Sequence, residues 1–187
     1  PENIGMVARA MDNFGLEKLI LVNPREIWPN EIAIKSSANS RDIIFKAKVF
    51  QSLNDALSNF HFIIATSNRK RFLNKPHQNN MEKLFEQFPQ DKRIAFLFGP
   101  ENSGLSNEDL ILADLIFNIN TAKSNNSLNL SHAVLLISFN WRYFVKLKKR
   151  NPKENSIFVN NAEKKDLVNF MSFLKKELND VGFLYPK

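Results

Sequence analysis

Short apolar runs that alternate with helix-patterned segments constrain this chain more than any other feature of its sequence. The runs lie at 19–22, 48–50, 60–65, 93–98 and 115–119, and their lengths are typical of buried strands. Strands that alternate with helices predict an α/β fold with a mostly parallel sheet. Because the runs are almost continuously apolar, we expect helices on both faces of that sheet.

Helix signals fill the intervals between the runs. Asn3 is a favourable N-cap for a first helix whose apolar positions recur at helical spacing, and Gly15 is placed to end that helix. Ser52 and Ser106 are each followed three residues later by an aspartate, which indicates a capping box at the start of two further helices. Other predicted helices cover 31–37, 41–46, 81–88 and 128–148.

The chain divides into residues 1–150, which we expect to form one domain, and residues 151–187, which we expect to form a linker and a C-terminal helix. The stretch 148–161 is polar, basic and contains a proline, as is typical of a linker. Asn161 is placed to cap the last helix and Gly182 to close it. That helix carries one apolar stripe, so we expect it to dock on the domain or on a partner subunit.

Composition excludes several classes of protein. The chain has no cysteine and only three scattered histidines, so we expect no disulfide and no metal site. Its longest apolar runs are far too short to span a bilayer, and no targeting segment opens the sequence, so a cytoplasmic location is expected. The net charge of +7 favours a polyanionic partner, of which nucleic acid is the commonest, although many basic proteins bind no polyanion.

Polar loops follow three of the predicted strands, at 66–68, 99–104 and 120–128. In an open parallel sheet, ligands bind beyond the carboxyl ends of the strands, so these loops could form one pocket. The alternative is that they are ordinary loops of an α/β protein. No dinucleotide-binding, P-loop or serine-hydrolase motif is present, which disfavours those three classes of enzyme.

Three segments resemble, in the family's order, the motifs of RNA 2′-O-ribose methyltransferases of the SPOUT superfamily (TrmH/SpoU class). They are PENIGMVARAM at 1–11, FGPENSGL at 98–105 and SLNLSHAV at 127–134. The ending GFLYP at 182–186 resembles the TrmJ-like branch, whose members modify tRNA. The resemblance covers most of the chain, and three motifs in order are far more specific than any one of them.

The resemblance implies a particular architecture and activity. It implies a sheet with a C-terminal deep trefoil knot, a homodimer, S-adenosyl-L-methionine (SAM) as cofactor, and no metal. The expected activity is 2′-O-methylation of cytidine or uridine at position 32 of the tRNA anticodon stem-loop. We also expect the family's first strand to lie upstream of residue 1. Alternatives are methylation of rRNA or of another tRNA position, and a non-catalytic RNA-binding protein that kept the fold.

The resemblance also assigns residue roles. Arg9 matches the family's catalytic arginine. Because arginine is a poor general base, we expect Arg9 to hold the target phosphate and ribose oxygen as a donor. The alternatives are structural: a surface arginine at position 9, a solvated carboxylate at position 101, and helix caps or a polar turn elsewhere. The implied catalytic residues are Arg9, Asn3, Glu101, Ser127 and Asn129, and the implied cofactor-binding residues are Thr66, Ser67, Asn68, Gly99, Ile119, Asn126, Ser127 and Leu128.

Two basic clusters fit a tRNA partner, since phosphate contacts give affinity that does not depend on sequence. The first comprises residues 69–71 with Lys75; the second comprises basic residues from Arg142 to Lys153. A solvated face is the alternative, mainly for the second cluster. The chain departs from the family pattern at Pro100 and Asn102, where many relatives carry arginine.

Overall fold

The structure, a computed structural model, describes residues 1–68, 75–88, 92–122, 128–150 and 162–184. The strands among these residues are β1 (Ile20–Val22), β2 (Lys48–Phe50), β3 (Phe62–Thr66), β4 (His77–Gln78), β5 (Ile94–Leu97) and β6 (Leu115–Phe117). The helices are α1 (Glu2–Asn13), α2 (Glu31–Ser36), α3 (Arg41–Lys46), α4 (Leu53–Leu57), α5 (Met81–Glu86), α6 (Asn107–Ile111), α7 (Leu130–Arg150) and α8 (Lys164–Asp180).

The strands form two sheets, and every pair of neighbouring strands is parallel. The larger sheet has the order β4-β6-β3-β5, and β1 pairs with β2 in a second sheet of two strands. The predicted parallel α/β arrangement is therefore confirmed, although the strands are divided between two sheets. Strand β4 was not predicted, because two residues are too few to show an alternating pattern.

Helices cover both faces of the larger sheet, as predicted. Along β3, successive side chains point to opposite faces. Ile63 packs in a cluster with Leu57 of α4 and with α6, whereas Ile64 packs with Phe85 of α5 and Ile137 of α7. This two-sided burial is the physical reason why the strand sequences are continuously apolar.

Helix α1 begins differently from the prediction. Its N-cap is Pro1, so the prediction of Asn3 as the cap is wrong; Asn3 lies within the first turn. Gly15 follows the last turn with φ of +73°, which confirms it as the residue that ends the helix. Gly5 allows α1 to approach α2, because a side chain at this position would lie 2.3 Å from the carbonyl oxygen of Ala33.

Both predicted serine caps are present, but only the cap at Ser106 is a complete capping box. At Ser52 the Asp55 carboxylate accepts from the serine hydroxyl at 2.6 Å. The Ser52 hydroxyl accepts a hydrogen bond from the backbone N–H of Asp55 at 3.1 Å. The Ser106 hydroxyl accepts from the N–H of Asp109 at 3.0 Å, and the Asp109 carboxylate accepts from the N–H of Ser106 at 2.8 Å. These local bonds fix the residues at which the short helices α4 and α6 begin.

The start of α8 is fixed to the amino-terminal edge of the larger sheet. Its N-cap is Glu163, so the predicted cap at Asn161, which itself lies outside the described residues, is wrong. Lys164 is only 5% exposed, and its ammonium group binds the Asp114 carboxylate at 2.8 Å. Its backbone N–H donates to the carbonyl of Phe60 at 2.8 Å. Burial of the ion pair thus ties the helix to the end of the sheet.

The apolar stripe of α8 does not dock on the described part of the domain, contrary to one of the two expected outcomes. Phe170 is 57% exposed and Met171 is 55% exposed. Gly182 has φ of +74° and closes the helix as predicted. The exposed stripe and the residues that follow it comprise Leu167, Phe170, Met171, Phe173, Leu174, Val181, Phe183 and Leu184.

Candidate active site

The carboxyl ends of β6, β3 and β5 lie side by side, because these strands are parallel neighbours. Hydrogen bonds join the loops that leave them. The Thr66 hydroxyl donates to the carbonyl of Leu97 at 3.1 Å, and the N–H of Ser67 donates to the carbonyl of Phe117 at 3.0 Å. The Asn118 amide donates to the carbonyl of Ser67 at 3.2 Å. The structure therefore brings the starts of these loops together at one edge of the sheet.

The remaining predicted cofactor residues are distributed around this edge. Asn68 and Ile119 are half-buried, and Ile119 packs against the cluster that contains β6. Leu128, which is also half-buried, precedes α7. Asn126 and Ser127 lie outside the described residues.

Gly99 has a structural reason to be glycine that the sequence did not reveal. A Cβ at this position would lie 2.3 Å from the backbone nitrogen of Leu105 and 2.4 Å from the carbonyl carbon of Gly104. Gly104 has φ of +66°, which brings the loop back on itself. The structure thus shows that the close approach of the chain's own backbone requires glycine at position 99.

Asn3, Glu101 and Asn129 form one hydrogen-bonded cluster, which we call the motif cluster. The Asn3 amide donates to the Glu101 carboxylate. The Asn129 amide donates to the other carboxylate oxygen at 2.7 Å and to the side-chain oxygen of Asn3 at 3.2 Å. One residue from each of the three sequence motifs thus meets the other two at the carboxyl edge of the sheet.

The motif cluster also caps α7. The Glu101 carboxylate accepts from the N–H of Leu130 at 3.2 Å, and the side-chain oxygen of Asn129 accepts from the N–H of Ser131 at 2.9 Å. The Ser131 hydroxyl donates to that same oxygen at 2.6 Å. A carboxylate and an amide oxygen at the N-terminus of a helix satisfy its free N–H groups and suit its dipole. The same hydrogen bonds therefore cap α7 and hold the motif cluster together.

Arg9 lies on α1 with an exposed side chain, off the buried face that includes Val7, Ala8 and Met11. Its guanidinium forms no hydrogen bond or ion pair with the residues that the structure describes. Its donors are thus open to a ligand. The structure does not join Arg9 to the motif cluster, and its role stays a prediction.

Two polar residues near the site were missed from the sequence. Ser131 is buried and bonded to Asn129, and Asn118 ties the loop after β6 to the loop after β3. A polar residue that interrupts an apolar run, as Asn118 does after 115–117, is the signal that could have marked it.

The described basic side chains at Lys75 and Arg142 bind backbone carbonyls of the protein itself, which was not expected from the sequence. Lys75 donates to the carbonyls of Ile111 and Ala113, both at 2.7 Å, so it caps the end of α6. Burial, followed by the neighbouring charge of Lys164, lowers the pKa of Lys75. Arg142 donates to the carbonyl of Phe14 at 3.3 Å. Residues 69–71 and Lys153 lie outside the described residues.

Among the described residues, no group of three or more histidine, aspartate or glutamate side chains is arranged to hold a metal ion. Within the same part of the chain, no helix has the length and apolar character needed to cross a membrane.

Comparison with known proteins gives consistent matches. The sequence profile of the SpoU rRNA Methylase family matches residues 1–139. The tRNA (cytidine/uridine-2'-O-)-methyltransferase TrmJ of Photorhabdus laumondii is 36% identical over 186 residues, which cover 97% of this chain and 76% of that protein. The crystal structure of TrmJ from Z. mobilis ZM4 superposes with a TM-score of 0.85 at 31% identity, over 99% of this chain and 78% of that one.

A more distant structure shares the fold. The SpoU methyltransferase AviRb from Streptomyces viridochromogenes, solved in complex with the cofactor AdoMet, gives a TM-score of 0.61 at 22% identity. The match covers 81% of this chain and 57% of that one. At this level of identity the likeness shows the fold alone.

Proposed function

This chain belongs to the SpoU methylase family and to its TrmJ-type tRNA 2′-O-methyltransferases, and from that premise we propose that it transfers a methyl group from SAM to the ribose of nucleotide 32 in the tRNA anticodon loop. The proposed targets are cytidine and uridine, the nucleosides in the name of the P. laumondii enzyme. A cytoplasmic location is part of the same proposal, since the substrate is tRNA.

The motif cluster is the observation that most supports this proposal. Asn3 and Glu101 are 98 positions apart in the chain, and Asn3 and Asn129 are 126 apart, yet their side chains bind one another. The three polar side chains are held together at the edge where ligands bind in parallel sheets. Such an arrangement suits a substrate that must be held in one orientation.

The loops at this edge fit a cofactor held mainly by backbone groups. Thr66, Ser67 and Asn118 bond the loops to one another, which fixes the relative positions of the loops. We propose that SAM binds there, in contact with residues 66–68, Gly99, Ile119 and 126–128. When bound, it would supply a methyl group on a positively charged sulfur, which needs no metal for transfer.

We propose that Arg9 binds the phosphate next to the target ribose and donates a hydrogen bond to the ribose oxygen. A guanidinium group is a hydrogen-bond donor and a poor general base, so Arg9 would orient the substrate rather than remove a proton. The proton of the 2′-hydroxyl would pass to the RNA phosphate that Arg9 holds. Placement of this kind can supply about 7–11 kcal/mol of the barrier reduction in favourable cases.

We propose a positioning role for Glu101 and ribose contacts for Asn3, Asn129 and Ser127. Glu101 accepts hydrogen bonds from Asn3, Asn129 and the first N–H of α7, so it fixes the relative position of α1 and α7. Because Arg9 lies on α1, an error in the position of that helix would displace the guanidinium from the substrate.

A homodimer is part of the proposal, and exposed apolar side chains on α7 support it. Phe139 is 54% exposed and Tyr143 is 58% exposed, and both lie on one side of α7 with Leu135 and Leu136. On α1, Met6 is 40% exposed and lies next to Ser131. Exposed apolar patches of this kind mark surfaces that bind proteins. Light scattering at several concentrations tests the dimer.

The remaining parts of the proposal concern architecture. We propose that residues 1–150 form the methyltransferase domain, with residues 151–187 as a linker and C-terminal helix. A deep trefoil knot near the carboxyl end of the sheet would gather the three cofactor loops, as an exception to the general absence of knots in proteins.

The decisive experiment is methylation of bulk tRNA with tritium-labelled SAM, followed by mapping of the modified nucleotide. We expect label at the ribose of nucleotide 32. Label at another tRNA position or in rRNA would overturn the proposed target but not the reaction. Calorimetry that detects no binding of SAM would overturn the reaction itself and favour a non-catalytic RNA-binding protein.

A further inference from the structure

A carboxylate lies one helical turn from Arg9 and has no part in the function proposed above. Residues three apart in a helix lie about 60° apart around its axis, so Arg9 and Asp12 share one side of α1. Side chains at this spacing are about 5–6 Å apart at Cβ, which is close enough for an ion pair. Both side chains are exposed, yet Arg9 forms no ion pair with Asp12 or with any other described carboxylate.

The Asp12 carboxylate is held by Ser40 instead. The Ser40 hydroxyl donates a hydrogen bond to it at 2.7 Å. Ser40 is only 5% exposed and stands at the start of α3, so this bond directs the carboxylate toward that helix. A buried hydroxyl from a different helix thus fixes the orientation of Asp12.

Ser40 forgoes its local role to make this bond. It occupies the N-cap position of α3, where a serine hydroxyl usually accepts from a backbone N–H of the first turn. The serines that cap α4 and α6 do so. Within α3, all of whose residues are described, the Ser40 side chain makes no such hydrogen bond. The hydroxyl at position 40 therefore serves Asp12 and not the helix that it precedes.

Asp12 is in a place where a carboxylate needs a donor. It lies in the last turn of α1, where the partial negative charge of the helix end disfavours a second negative charge. Arg9 is the only basic residue of α1. If Ser40 did not bind the Asp12 carboxylate, the cation within reach along α1 would be the Arg9 guanidinium.

We propose that Ser40 is a positioning residue that keeps Arg9 available to RNA by binding Asp12. The inference rests on the proposed function, in which the Arg9 guanidinium holds the phosphate next to the target ribose. A guanidinium binds a carboxylate and a phosphate through the same donors, so Asp12 and the RNA compete for Arg9. The hydrogen bond from Ser40 lowers the fraction of free enzyme in which Arg9 is bound to Asp12.

The test is a double-mutant cycle on Ser40 and Asp12, measured by steady-state methylation of tRNA. The variants are Ser40→Ala, Asp12→Asn and the two together. Ser37→Ala is the matched control, since Ser37 is a buried serine between α2 and α3 whose hydroxyl donates to the carbonyl of Ile34 at 2.8 Å. The affinity for SAM and the midpoint of thermal unfolding are measured for every variant, and KM for tRNA is measured at low and at high salt.

We expect Ser40→Ala to raise KM for tRNA about two- to threefold with kcat unchanged, because an exposed pair at this spacing is weak and occupies Arg9 only in the free enzyme. When Asp12→Asn is already present, Ser40→Ala should have no further effect on KM, since a neutral amide forms no ion pair. High salt should remove the difference in KM between Ser40→Ala and the wild type, because it screens the pair. Ser37→Ala should keep the wild-type KM, and SAM affinity should stay unchanged throughout.

Two results in an active enzyme would overturn the inference alone. Ser40→Ala could leave KM for tRNA unchanged at low salt. It could instead raise KM equally with and without Asp12→Asn, at low and at high salt, which would assign the effect to a displaced α3. A wild-type protein that methylates no tRNA would overturn the proposed function, and this inference with it.

Discussion

Replacement of Glu101 by glutamine tests whether the motif cluster is a functional device or only a helix cap. Glutamine has the same shape, but one carboxylate oxygen becomes an NH₂ group. Both oxygens of Glu101 face donors: one faces the amide of Asn3, and the other faces the amide of Asn129 and the N–H of Leu130. The new NH₂ group must therefore oppose a donor in either orientation.

The least costly orientation keeps the glutamine oxygen toward Asn129 and Leu130 and turns the NH₂ group toward Asn3. Asn3 could rotate its amide to accept, but it would then lose the hydrogen bond that Asn129 donates to its oxygen at 3.2 Å. Asn129 cannot follow, because its own oxygen already accepts from Ser131. One hydrogen bond is lost in every arrangement, together with the negative charge at the N-terminus of α7.

The expected loss of stability is modest, since Glu101 is exposed and solvent screens its charge. A lost hydrogen bond costs about 1 kcal/mol, and the charge near a helix terminus about 0.3–1 kcal/mol. We therefore expect the free energy of unfolding to fall by roughly 1–2 kcal/mol, which lowers Tm by roughly 3–6 °C in a domain of this size. The positioning role predicts a much larger effect on kcat, of at least about a hundredfold, because misplacement of reacting groups is costly.

Urea unfolding and steady-state kinetics with tRNA measure the two effects separately. Glu108→Gln is the matched control, since Glu108 is an exposed glutamate at the start of α6 and lies outside the motif cluster. SAM affinity of Glu101→Gln should stay within about threefold of the wild type. A variant that loses the expected stability but keeps kcat within twofold would show that the cluster only caps α7, and our reasoning on position would be refuted.

The remaining predictions concern three other positions. Arg9→Ala should abolish methylation while calorimetry shows nearly unchanged binding of SAM; loss of both would indicate a structural role. Gly99→Ala should lower the free energy of unfolding by about 1–3 kcal/mol in urea, since the new Cβ would lie 2.3 Å from the nitrogen of Leu105, and a variant of wild-type stability would contradict this. Lys164→Met should release α8, so the backbone amides of that helix should exchange hydrogen faster. The free energy of unfolding should fall by about 1–3 kcal/mol, a limited amount because Asp114 keeps some solvent contact. Lys165→Met, at an exposed position, should change neither property.

The sequence predicted the helix ends correctly where each end depends on residues close to it in the chain. The caps at Ser52 and Ser106 and the helix ends at Gly15 and Gly182 were all predictable, because each depends on bonds or backbone angles within a few residues. Strands β3 and β6 were predictable because burial on both faces favours apolar residues along them.

Predictions failed where a distant part of the chain determined the outcome. Asn3 has the chemistry of an N-cap, but its side-chain oxygen accepts from Asn129 and its NH₂ group donates to Glu101. Pro1 is at the cap position instead. Lys75 has the sequence context of a phosphate-binding lysine, but the end of α6 takes its ammonium group. Both side chains bind a partner more than 30 positions away in the chain, instead of the partner that their local sequence predicts.

The sequence by itself determined the parallel α/β class, the order of its elements and the family motifs, since periodicity and residue type carry that information along the chain. Only the tertiary structure decided that Asn3, Glu101 and Asn129 share one hydrogen-bonded cluster and that Gly99 packs against its own loop. It also decided that α8 is fixed by Lys164 while its apolar stripe stays exposed. The physical reason is that hydrogen bonds and close packing depend on distances in space. Those distances are determined by the order of the strands and the packing of the helices, not by separation along the chain.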